Sequence, residues 1–180
     1  MNLPARYLSF LTFILTAGFA DAGEVSLNYA REAWFGMRHD VCNALKLCTE
    51  FEKKPPENAL LKAYYGASAA ASPACLGNPA KKISYFRRGK GLIAEAVLLE
   101  PGNFEIRFLR FATQSKAPSF LDYNQDIAED KRFLVDNLDK GRKTVRNKRI
   151  FDMMLEFLLT SDRLNAREKN LITQASLTAE

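Results

Sequence analysis

Few side chains in this sequence are placed to do chemistry. Its single histidine, His39, is followed by Asp40, and a His-Asp pair serves catalysis only when it can activate a neighbouring nucleophile. Both residues fall where one helical pattern ends and the next begins, where a histidine at a helix C-terminus and an aspartate at an N-cap have structural reasons to be. Ser68, within Gly66-Ala67-Ser68-Ala69-Ala70, lacks the second glycine of a nucleophile elbow and lies in mid-helix, so a small packing residue is expected there. A zinc centre needs several His or Cys ligands at short spacing, and none can be assembled around one histidine. Gly89-Lys90-Gly91 sits inside an apolar helical stripe and reads as close helix packing at both glycines rather than as a phosphate loop. No catalytic, cofactor-binding or metal-binding set is therefore expected.

Carboxylates supply the remaining acid/base option. Asp126, Glu129 and Asp130 share about one helical turn, but Lys131 and Arg132 follow directly, and such mixtures read as a solvated face. The cations Lys140, Arg142, Lys143, Arg146, Lys148 and Arg149 crowd around Gly141 and are candidates for contact with lipid headgroups or an acidic polymer. A loop followed by a solvated helix start accounts for the same composition. Lys81, Lys82, Arg87, Arg88 and Lys90 extend that patch only if the fold brings them together.

The three cysteines leave at least one thiol unpaired within a monomer. Cys42 and Cys48 are separated by six residues of helix, about 9 Å, and point apart, so Cys75 is the partner available to either. An antiparallel hairpin about Pro55-Pro56 would bring the chain leaving the third helix at Pro73 past Cys42, which makes Cys42 with Cys75 the better pair. The competing reading is three buried, reduced cysteines acting as small apolar residues, favoured by the ease with which free cysteine buries and by the lack of a spacing motif.

The elements that must position these residues are helical, because apolar residues recur at three and four rather than at two. Eight helices are expected, at about 25–38, 41–51, 56–72, 80–99, 104–116, 125–138, 145–159 and 166–176. Val41, Leu45 and Cys48 form the stripe of the second, and Ile83, Phe86, Ile93, Ala96 and Val97 that of the fourth. Breaks fall at Pro55-Pro56, Pro73, Gly77-Asn78-Pro79, Pro101-Gly102 and Ala117-Pro118, and Asn165 with Glu168 predicts a capping box. Short connections imply mostly antiparallel neighbours.

Before these helices, one positive charge precedes an uncharged apolar run from Tyr7 to Ala20, the layout of a secretory signal peptide cut after Ala20 or Ala22. That run is shorter than the about 20 residues a membrane anchor needs. Residues 1–22 are thus expected to be a signal peptide and 23–180 a single all-helical domain, periplasmic or secreted, with no transmembrane segment in the mature chain. The net charge of +5 falls short of a nucleic-acid binder's footprint.

The series Gly89, Ile93, Ala96, Val97, Leu99, Pro101 resembles the second helix of a tetratricopeptide repeat, and Tyr65-Gly66 is similar to the aromatic-glycine step of that repeat's first helix. The gap holding Pro73, Gly77 and Pro79 is longer than the family's tight turn. The resemblance covers about a quarter of the chain and implies an all-α bundle or short solenoid of antiparallel hairpins. The phrases Tyr-Phe-Arg-Arg-Gly-Lys and Ile-Arg-Phe-Leu-Arg-Phe also resemble small exported proteins of unassigned function from Bacteroidota. The resulting expectation is a non-catalytic exported scaffold that binds a protein or peptide. Alternatives are a basic module docking on an anionic envelope surface or acidic polymer, and an enzyme of unrecognised type.

Overall fold

Asparagine side chains open five of the helices. The structure, a computed structural model, describes residues 24–177, and the expected signal peptide lies outside them. The Oδ1 atoms of Asn58, Asn78, Asn103, Asn147 and Asn165 accept from backbone amides two or three residues on, where a first helical turn has donors with no partner of their own. At Asn165 the cap is reciprocal, since Glu168 accepts from the Asn165 amide. The helices so begun are α3 (Ala59–Ala71), α4 (Pro79–Leu99), α5 (Phe104–Lys116), α8 (Lys148–Thr160) and α9 (Ala166–Leu177). The others are α1 (Leu27–Phe35), α2 (Asn43–Lys53), α6 (Ile127–Asp136) and α7 (Leu138–Val145). Short 3-10 turns follow α1 at Gly36–Arg38, α3 at Ser72–Cys75 and α5 at Ser119–Leu121. Among the described residues the fold is all-α, with nine helices and no strand.

Helix α5 is the axis of the packing, because every residue from Phe104 to Ala112 is buried. Phe104, Phe108 and Phe111 meet Phe151 and Phe157 of α8, with ring centroids 5.5 to 6.4 Å apart. An all-round buried helix must also bury its charges, and it does so by pairing them. Arg110 donates to both oxygens of Asp130 on α6 at 2.7 and 2.8 Å, and Arg107 lies 2.6 Å from the same carboxylate.

Helices α3 and α4 run antiparallel, as Lys62 pairs with Glu95 at one end while Ala70 faces Gly89 at the other. Their crossing is set by two glycines. A Cβ built on Gly89 would stand 2.4 Å from the Ala70 nitrogen and 2.5 Å from the Gly66 oxygen, and one on Gly66 would stand 2.8 Å from Ile93. Nothing lies within 4 Å of a Cβ on Gly91, so only Gly89 of the two expected packing glycines has that role.

Several other expectations are corrected. The stretch around Gly141 is not a loop but α7, whose Leu138, Gly141 and Val145 are buried, and a Cβ on Gly141 would press into the Phe104 ring at 2.7 Å. Leu138 therefore belongs to α7 and α6 ends earlier, at Asp136. The buried stripe of α2 is Ala44, Leu47, Cys48 and Phe51, while Val41 precedes the helix and is exposed. Ile83 leaves the core stripe of α4 and is 49% exposed. Asp130 is fully buried rather than on a solvated face, because two arginines of α5 reach it.

Cys42, just ahead of α2, and Cys75, at the end of the turn after α3, are joined by a disulfide with 5.5 Å between their Cα atoms. Cys48 is a free, buried thiol.

Two glycines in one helix make opposite expectations. Gly89→Ala forces backbone apart and should cost about 1–3 kcal/mol, whereas Gly91→Ala meets open space and should gain up to about 1 kcal/mol of helix propensity. Thermal melting of the two variants checks both signs. Replacing Cys42 and Cys75 together by serine opens a loop of 33 residues. That change should lower the unfolding free energy by about 3–4 kcal/mol in urea denaturation.

Candidate functional site

Of the residues first considered for catalysis, His39 is exposed in the turn after α1, where its backbone amide donates to the Gly36 carbonyl, and Asp40 and Ser68 are engaged in local structure. Asp40 accepts from the Cys42 amide and from Lys46, each at 2.9 Å, and the Lys46 ammonium together with that amide holds its carboxyl below the usual range. The hydroxyl of Ser68 is buried and donates to the Tyr65 carbonyl. Burial pushes the Cys48 thiol up to about 11, so it is protonated and a poor nucleophile at neutral pH. Among the described residues no group of three or more His, Cys, Asp and Glu is placed to hold a metal ion.

The basic cluster is divided by the fold. Lys148 pairs with Asp152 at 2.9 Å and Arg149 with Glu32 at 2.6 Å, one turn and one helix away. Arg142 turns inward, donating to the Ala175 carbonyl and lying over the Phe151 ring. Lys140, Lys143 and Arg146 remain exposed, and Arg146 holds a left-handed backbone conformation at the end of α7. Arg88 and Lys90 do not extend the patch, because Arg88 pairs with Glu52 and Lys90 lies over the Tyr123 ring.

The feature that sequence reasoning missed is a cleft of about 930 Å³ between α1, α3, α4, α5 and α8. One wall is built of small side chains: Ala67, Ala70, Ala71 and Ala74 follow each other along α3 and its 3-10 turn at helical spacing. The lining also includes the aromatic side chains of Trp34 and Phe35 from α1, Phe86 from α4 and Phe157 from α8. Trp34 meets Phe35 and Phe108 edge-on at 4.9 and 6.0 Å, which holds the aromatic wall rigid. The interior reaches buried core residues such as Ala67 and Ala112, while its rim carries Val41, Ile83 and Phe120, the last 84% exposed. These large apolar groups in water are the cost of an open cleft.

The polar groups of the lining are few. Thr113 and Thr160 donate their hydroxyls to carbonyls of their own helices. Arg38 pairs across the rim with Glu156 at 2.7 Å. Lys116 lies over the Phe157 ring, and neither it nor Lys82 has an acidic partner among the described residues. The disulfide braces this site, because Val41 and Ala74, the neighbours of the two bridged cysteines, both line it.

What positions the aromatic wall is a buried ion pair. Arg31 of α1 donates to Glu105 of α5 through Nε at 2.7 Å and again through Nη2, and also reaches the Val145 carbonyl at the end of α7. Tyr64 of α3 donates its hydroxyl to the same carboxylate, and burial with Glu105 beside it raises that phenol well above its usual range. The signal for this cluster in the sequence was slight, since Arg31 and Glu105 look like ordinary surface residues of amphipathic helices.

Glu105→Ala leaves a guanidinium buried without its charge partner and should cost about 3–5 kcal/mol. Replacing the whole set, as Arg31→Met, Glu105→Leu and Tyr64→Phe together, should recover most of that loss, because no charge is then stranded and only the Val145 carbonyl loses a donor. Urea denaturation of the single and triple variants measures the difference. Comparison with protein-family models, curated proteins and solved structures finds no match for this chain.

Proposed function

We propose that this protein is a non-catalytic binding module, exported as its N-terminal pattern predicts, and that the cleft beside α3 takes the apolar part of its guest. The observation that carries this reading is the large apolar opening itself. About 930 Å³ lies within the range of about 300–1,000 Å³ that small-molecule sites occupy, and its lining is mostly apolar with a few charges at the rim. Without a guest, the lining side chains lose contacts that a closed core would give them.

The lining also restricts what enters. An extended peptide brings an amide and a carbonyl at every residue that need partners, and the threonine hydroxyls of the wall are already donating elsewhere. A protein or peptide partner, the expectation carried by the half-repeat of α4, enters only as the apolar face of a helix whose backbone is satisfied internally. An alkyl chain has no such requirement. Docking through the basic cluster is the weaker reading, because half of its cations are engaged by Asp152, Glu32 and the Ala175 carbonyl.

Trp34 is the only tryptophan in the chain and forms part of the wall, so its emission reports the cleft. Titration with octyl glucoside below its micelle concentration should shift that emission saturably. Ala71→Phe, which places a ring in the opening from a half-buried position, should weaken the effect at least about tenfold while leaving the melting temperature near that of the parent. An emission that does not change with the probe, or that changes equally in the filled variant, would count against the cleft as a binding site.

A further inference from the structure

We infer that the guest is a single-chain amphiphile with an anionic head, of the long-chain carboxylate class, and this rests on the cleft being the binding site. The charges at the opening decide the head group. Arg38, Lys82 and Lys116 line it against one carboxylate, Glu156, and that carboxylate is already paired with Arg38. Lys82 at the start of α4 and Lys116 at the end of α5 are both exposed and both without an acidic partner among the described residues. A guest that buries an apolar chain and leaves a negative group at the rim satisfies both features of the site. A cationic amphiphile meets two uncompensated lysines, and a neutral one leaves them unused.

The depth of the site decides the tail. The lining runs from exposed Val41, Ile83 and Phe120 to buried residues of three helices, Trp34, Ala67 and Ala112, so the site reaches from solvent into the core. A helix with its side chains is about 10–12 Å across and rests on a surface groove, whereas an alkyl chain can reach buried lining residues without bringing a backbone with it. The alanine wall suits such a chain, because methyl groups along α3 offer a smooth apolar surface with no side chain to displace. The Lys116 ammonium lies over the ring of Phe157, itself a lining residue, so an exposed cation adjoins the apolar wall directly.

The experiment compares dodecanoate with dodecanol, both below aggregation, on the purified protein by Trp34 emission. Dodecanoate should bind about three- to tenfold more tightly than the alcohol, and added salt should reduce the advantage. The double variant Lys82→Gln/Lys116→Gln should abolish the preference, so that dodecanoate binds no more tightly than dodecanol. Equal binding of acid and alcohol by the parent protein, or a preference that survives in the double variant, overturns the anionic head while the cleft remains a binding site. Failure of both probes to bind overturns the head and the cleft together. Displacement of dodecanoate by a lower concentration of an acidic amphipathic helical peptide overturns the amphiphile in favour of a protein partner.

Discussion

The pairing of Arg31 with Glu105 inside the protein constrains the arrangement of four helices at once. Neither charge can be taken from water alone, so the helices that carry them must meet in one geometry. Glu105 fixes the rotation of α5 at its start, Tyr64 ties α3 to it, and the second bond of Arg31 brings in the end of α7. Helix α1 is short, at nine residues, and would bury little by itself. Held by Arg31, it delivers Trp34 and Phe35 to the edge of the core, where they form one side of the cleft. A second buried centre, Arg107 and Arg110 with Asp130, does the same for α6 one turn further along α5.

Small residues act in two opposite ways in this fold. At the Gly66 and Gly89 crossing they bring two backbones together, and helix α4 is held against α3 at a distance that no larger residue allows. Along the neighbouring face of α3 the alanines Ala67, Ala70, Ala71 and Ala74 leave space that none of the described residues fills. Interiors are normally packed as densely as organic crystals, so an opening of this size persists only if its walls cannot approach each other. The α3 and α4 contact, the ion pair beneath α1 and the Cys42 to Cys75 bridge beside Val41 and Ala74 each hold one wall in place.

Charge is distributed in a way that composition conceals. The densest run of cations in the chain lies around α7, where two are paired with carboxylates and one is turned into the structure. Lys82 and Lys116 are ordinary in sequence, yet they stand at the apolar opening without acidic partners among the described residues. In the proposed binding mode, position relative to an apolar surface, rather than local density, decides which cations take part.

Local physics was legible in the sequence, and long-range physics was not. Helix periodicity, the proline and glycine breaks and the asparagine caps each depend on residues within one turn, so the all-α class and most helix positions follow from reading neighbours. Helix α7 was missed because its apolar stripe has only Leu138, Gly141 and Val145 among many cations, and Gly141 earns its place through Phe104, thirty-seven positions earlier. Asp130 looked solvated because its two arginines are a helix away, and Gly89 and Gly91 looked alike because only the fold decides which one faces Ala70. The cleft was the least legible of all. It belongs to no segment, being the volume that five helices leave between them, and a volume of that kind exists only once every wall has been placed.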